Sequence, residues 1–173
     1  MTPEPAELES QGKIAFADKK FSEAANLFRR AAEGYTLENS GVLAAEMMNN
    51  VSVALLQMGK PAESLEAVLG TDKVFEAAKD IKRQAMALGN TAAALEALNR
   101  TDEAIEKYEL SADLFRQVDE GDLRAMVMKS AAALKLKSGK VTDSAFKMMG
   151  SLEAKKNPGI FERILRFFLR FIK

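Results

Sequence analysis

The chain of 173 residues contains no cysteine and no histidine. Without cysteine there is no disulfide frame and no thiolate to serve as nucleophile or ligand. Without histidine, mixed Cys/His zinc sites, Ser-His-Asp triads and imidazole acid/base catalysis are excluded. Proline and glycine are scarce, at four and ten residues. With 47% apolar and 29% charged residues, this is the composition of an ordered, helix-rich domain. No Gly-rich phosphate loop and no convergent catalytic constellation stands out, so no enzyme activity, no cofactor and no metal are expected. The opening Met1-Thr2-Pro3-Glu4-Pro5 is polar and acidic rather than leader-like, which points to a cytoplasmic protein.

Neither sign of charge dominates, with 25 basic and 25 acidic residues. The balance hides a division. From Leu152 onward six basic residues (Lys155, Lys156, Arg163, Arg166, Arg170, Lys173) face two acidic ones (Glu153, Glu162). The body before them is correspondingly acidic, which argues against nucleic acid as its ligand.

What the chain does have is a self-similarity at a fixed spacing. Lys19-Lys20-Phe21-Ser22-Glu23-Ala24 returns 40 residues later as Gly59-Lys60-Pro61-Ala62-Glu63-Ser64. It returns again as Asn99-Arg100-Thr101-Asp102-Glu103-Ala104 and as Gly139-Lys140-Val141-Thr142-Asp143-Ser144. A strict period of this size predicts a solenoid of helix pairs. Each turn separates a first helix from a second. The second helices open with Glu23, Glu63, Glu103 and Asp143, acids that complement the helix dipole rather than a reaction centre. Pro61 suits a helix start. Tyr35, Phe75 and Phe115 are also 40 apart and read as core aromatics. Gly70, inside the second helix of the second copy, is expected to bend or break it.

These rows resemble the tetratricopeptide repeat family. Its pattern of a large residue, a small residue, and then Ala-x3-aromatic is seen as Leu8, Gly12, Ala24 and Phe28 in the first copy. It is seen as Leu88, Ala92, Ala104 and Tyr108 in the third, and more weakly around Met48, Ser52, Ser64 and Val68, and around Met128, Ala132, Ser144 and Met148. The 40-residue period implies a long-helix variant of the usual 34-residue unit. The resemblance implies an all-α, right-handed α-solenoid of about four helix pairs over residues 5–150. The expected copies are 5–38, 41–78, 81–118 and 121–150, followed by a linker at 151–159 and an amphipathic helix at 160–173.

It also implies that the first helices line a concave face. There Ser10, Asn50, Asn90 and Ser130 form one polar row at the repeat spacing. A carboxamide offers both donor and acceptor, so Asn50 and Asn90 suit the backbone of an extended peptide. Lys13, Asn49, Met86, Met126 and Lys129 are expected beside them, with Met supplying adaptable apolar contact. The family's clamp for terminal carboxylates is not matched, because Glu9, Met86 and Asn90 stand where cations are needed.

The last fourteen residues run from Ile160 to Lys173 and nine of them are large and apolar. At helical spacing Phe161, Ile164, Phe167, Phe168 and Phe171 fall in an apolar arc of about 200°, while Arg163, Arg166, Arg170 and Lys173 form a basic stripe. A helix of that length is roughly 20 Å, too short to span a bilayer. Three roles fit: a cap on the open end of the solenoid, an anchor on anionic lipid, or a segment docking on a partner or on a second copy. The chain is thus expected to be a non-catalytic adaptor for a protein or peptide partner. The alternative is a peripheral membrane protein held at anionic lipid by this helix, and homo-oligomers are compatible with both.

Overall fold

The computed structural model describes residues 4–139. The expected fourth second-helix, the linker at 151–159 and the basic helix at 160–173 lie outside the described residues. The chain divides into two compact units, Met1–Ala131 and Ala132–Lys173. The packing described below belongs to the first.

All regular structure among the described residues is helical. The helices are α1 (Pro5–Ala17), α2 (Phe21–Leu37), α3 (Gly41–Gln57), α4 (Pro61–Val68), α5 (Thr71–Ala77), α6 (Ile81–Ala97), α7 (Thr101–Gln117) and α8 (Gly121–Lys137). Consecutive helices pack on one another from α1 to α4 and from α5 to α7, and α4 and α5 both pack on α6, which makes the chain an α-solenoid.

The helices stop by one device repeated every 20 residues. Lys19, Asn39, Gly59, Lys79, Asn99, Asp119 and Gly139 all have φ between 56° and 74°. In each of the first six turns the next residue donates its N–H back to the helix, as Lys20 does to Ala15 O at 2.9 Å and Asp80 to Phe75 O at 2.9 Å. This left-handed closure satisfies the last carbonyls and reverses the chain. Asn and Gly tolerate it well, whereas Lys19 and Lys79 adopt it against the steric preference of a β-carbon.

Within the pairs, the small-residue row sets the approach of the backbones. A β-carbon at Gly12 would lie 2.7 Å from Phe28 Cε1. Ser52 and Ser64 meet Oγ to Oγ at 2.8 Å, and Ser64 Oγ also donates to Ser52 O at 2.9 Å. Ala92 and Ala104 are wholly buried. Ala132 departs from the row and is exposed. The segment expected to pack there lies outside the described residues.

Between pairs the aromatic row fills the core. Tyr35, Phe75 and Phe115 are 6%, 1% and 2% exposed. Tyr35 joins a cluster with Leu8, Met47 and Val51, while Phe75 packs with Ala45 and Ala87. Burial of each ring contributes about 2–3 kcal/mol. The break expected at Gly70 is present. Gly70 has φ 84°, α4 ends at Val68, and Thr71 Oγ1 donates to Val68 O at 2.8 Å to start α5.

Candidate partner-binding face

The first helices α1, α3 and α6 carry three different residues at one repeated position, 40 apart. In the first pair that position is Glu9, whose Oε2 accepts a 2.7 Å bond from the Tyr35 hydroxyl. In the second it is Asn49. Its aromatic is Phe75, which has no hydroxyl to offer, and the Asn49 amide turns elsewhere: Nδ2 donates to Ala45 O at 3.0 Å. In the third it is Gly89, where a β-carbon would come within 3.4 Å of Ser111 Oγ and 3.6 Å of Val127 Cγ1. Both distances are ordinary van der Waals contact, so the packing around Gly89 leaves room for a β-carbon.

Two adjoining cavities open along this face. The larger, about 470 Å³, is lined by Asn49, Asn50, Val53, Phe75, Met86 and Asn90, with Glu46, Asp80, Lys82 and Arg83 at its edge. The smaller, about 240 Å³, is lined by Met86, Gly89, Asn90, Ala93, Met126 and Ser130 over Tyr108 and Phe115. Met86 and Asn90 belong to both and form the ridge between them.

The ionic groups at the edge are paired with one another. Arg83 reaches Glu46 at 3.1 Å and Asp80 at 2.7 Å, and Lys82 bridges to Glu120. Asp80 also caps α6, accepting from the Arg83 N–H at 3.0 Å. That backbone bond, helped by the guanidinium, holds the Asp80 carboxyl below the usual carboxylate range against the opposing effect of burial. What remains between the pairs is amide and thioether surface.

The residues expected to bind a partner fall into distinct settings. Asn50 is half-buried and lines the larger cavity, and its amide makes no hydrogen bond among the described residues. Asn90 is half-buried and donates from Nδ2 to Asn49 Oδ1 at 3.2 Å. Asn49, expected on the open face, is only 7% exposed, and its amide turns inward to Ala45 O at the wall of the larger cavity. Ser130 lines the smaller cavity over Tyr108, whose hydroxyl donates to Glu96 Oε2 at 2.8 Å. Burial, then that bond, push the Tyr108 hydroxyl well above its ordinary pKa. Met86 and Met126 are 45% and 61% exposed. Lys13 is exposed but tied to Glu9 at 2.5 Å, while Ser10 and Lys129 are exposed. Asn50, Met86, Asn90, Met126 and Ser130 are therefore brought together along the two cavities. Ser10 and Lys13, on α1, line neither. Phe161, Arg163, Ile164, Arg166, Phe167, Phe168, Arg170, Phe171 and Lys173 lie outside the described residues.

Sequence reading missed the edge of the cavity, Glu46, Asp80, Lys82 and Arg83. Asp80 had a signal, since an acid just before an apolar-periodic stretch is a capping position. The pairing of Arg83 with Glu46 had none, because it joins helices whose order in sequence does not reveal their facing sides.

Residues 6–154 match the family model of the soluble NSF attachment protein, SNAP. The chain belongs to the soluble NSF attachment protein family. SNAP proteins are a helical-repeat family akin to the tetratricopeptide solenoids, so the resemblance read from the rows of small and aromatic residues is right at the level of architecture. The SNAP match runs from the second residue of α1 through α8 and identifies an adaptor-type, generally non-enzymatic family. No curated protein matches the chain. Among the described residues no helix is long and apolar enough to cross a membrane, and no cluster of acidic side chains could hold a metal ion.

Proposed function

We propose that this SNAP-family chain is an adaptor that holds an extended segment of a protein partner along the face carrying Asn50, Met86, Asn90 and Met126. The observation that carries the reading is the pair of cavities sharing Met86 and Asn90. A free carboxamide at Asn50, a partly committed one at Asn90 and two exposed thioethers give main-chain hydrogen bonding beside adaptable apolar contact. The neighbouring charges neutralise each other, so the face favours an uncharged stretch of chain over an acidic or basic one. Ser10, Lys13 and Lys129 extend the same face toward its ends.

The family name supplies a first partner to try, NSF. Replacing Asn50 and Asn90 together by Ala is expected to weaken capture of NSF by about tenfold or more, as loss of two hydrogen bonds would, with the thermal melt nearly unchanged. Equal capture by the double variant and the natural chain would rule out this face.

The second reading is attachment to anionic lipid through residues 160–173, favoured by the Arg163, Arg166, Arg170 and Lys173 stripe beside four of the ten phenylalanines. It is compatible with the first and with a cytoplasmic protein that visits membranes. Co-sedimentation with anionic vesicles, comparing the full chain with one ending at Pro158, tests it. Salt-sensitive binding by the full chain alone is the expected result, and equal binding by both refutes it.

A further inference from the structure

Asn49 is a buried amide whose hydrogen bonds point in two directions. Its Nδ2 donates to Ala45 O at 3.0 Å, which fixes the flip of the carboxamide and turns Oδ1 away from its own helix. That Oδ1 accepts from Asn90 Nδ2 at 3.2 Å, across a sequence separation of 41 residues. The second bond commits one N–H of Asn90 to the protein interior. The Asn90 carbonyl oxygen is then the group turned away from Asn49, on the ridge where the two cavities meet. Asn50, one residue from Asn49 and lining the same cavity, has no such tether and can present either end of its amide.

From this geometry we infer that Asn49 is a positioning residue for partner recognition: it orients the Asn90 carboxamide so that the ridge offers a hydrogen-bond acceptor and selects a main-chain N–H of the bound segment. The inference rests on the binding face proposed above and adds a polarity to it. An untethered Asn90 would pair with a partner N–H or a partner carbonyl by flipping its amide. The tethered one holds its oxygen in a fixed place and discriminates there, because a carbonyl facing it would set oxygen against oxygen, while its second N–H stays available at the other end of the amide. Among the described residues these two are the only hydrogen bonds of the Asn49 side chain. Ala45 O already has its helical partner in the Asn49 N–H, so the side-chain bond is an addition to a satisfied carbonyl.

The test uses random displayed peptides selected on the full chain, followed by resynthesis of one binder with each backbone amide N-methylated in turn. For the natural chain, methylation at one position is expected to weaken binding about fivefold to tenfold, the equivalent of one hydrogen bond. Asn49→Leu, which keeps the branched skeleton with more bulk and removes both polar ends, is expected to lose that sensitivity, as is Asn90→Ala. The double variant Asn49→Leu/Asn90→Ala should bind no more weakly than Asn90→Ala alone. Asn49→Ala replaces the Leu variant if thermal melts show the latter unfolded. If Met86→Lys abolishes binding while Asn49→Leu keeps the natural methylation pattern, the face stands and the positioning role falls. If Met86→Lys leaves binding intact, or no peptide is selected, the face itself falls and takes the inference with it.

Discussion

The Tyr35 hydroxyl donates to Glu9 Oε2 at 2.7 Å, joining the end of α2 to the middle of α1. Both groups are shifted by the contact. Burial works to raise the Glu9 carboxyl, yet hydrogen bonds from Lys13 and Tyr35 outweigh it and hold the pKa below its ordinary value. The bond to Glu9, with burial behind it, pushes Tyr35 up to about 12. The two shifts stabilise the fold at opposite ends of the pH scale. The Glu9 contribution is present above the unfolded carboxylate pKa and is lost as pH falls through the lowered folded value. The Tyr35 contribution is present below the unfolded pKa of 10 and is lost as pH rises toward 12. Tyr35→Phe is expected to cost about 1 kcal/mol at neutral pH, the low end for a bond to a charged acceptor because Glu9 is partly solvated. The variant and the natural chain should converge in stability above pH 10, read by denaturant titration at a series of pH values.

The left-handed turns predict a stabilising substitution. Lys19 and Lys79 have φ of 61° and 58°, where a β-carbon crowds the following carbonyl. Glycine removes that strain at the cost of a more flexible unfolded chain. Each Lys→Gly change is expected to gain about 0.5–1 kcal/mol. The reciprocal Gly59→Ala, at φ 70°, should lose a similar amount. Thermal melts of the three single variants would check the sign, and equal melting temperatures would remove strain from the account of these turns.

Asp80 is a hinge of the edge network, since it caps α6 and holds Arg83. Asp80→Ala is expected to cost about 1 kcal/mol through the lost cap. Because its carboxyl is held below the usual range, the cap's contribution persists above the unfolded carboxylate pKa and disappears as pH falls through the folded one. Asp80→Asn keeps the acceptor and should retain most of the neutral-pH stability while flattening the acid limb. Urea titrations at acidic and neutral pH distinguish the two variants.

Gly12 stands against the buried Phe28 ring at a distance no β-carbon could share, 2.7 Å to Cε1. Gly12→Ala should therefore destabilise by about 1–3 kcal/mol, the range for overpacking, despite alanine's better helix propensity. A rise in melting temperature would mean that α1 can move away from α2 without loss.

The period, the helix pairs, the small row at Gly12, Ser52 and Ala92, and the core aromatics Tyr35, Phe75 and Phe115 were all legible in the chain alone. They are local or strictly repeated features, and repetition converts one weak signal into several aligned ones. The break at Gly70 was legible for the same kind of reason, as a backbone preference of one residue. Asn49 was not legible. Sequence placed it beside Asn50 on the open face, but a helix turns 100° per residue, so the two neighbours look in different directions. Which of them is buried and which stays half-exposed depends on how α3 is rotated against α5 and α6, where Phe75 and Ala87 pack on Ala45. The pairing of Arg83 with Glu46 and Asp80, and the link from Asn49 to Asn90, are likewise decided by helices that meet only in three dimensions. Sequence alone determined that this chain is a helical solenoid, because periodicity and turn chemistry act within short stretches. Tertiary structure alone decided which amide is buried and hydrogen-bonded to a distant helix and which is half-exposed without such a bond, because that depends on what lies across the gap between helices far apart in the chain.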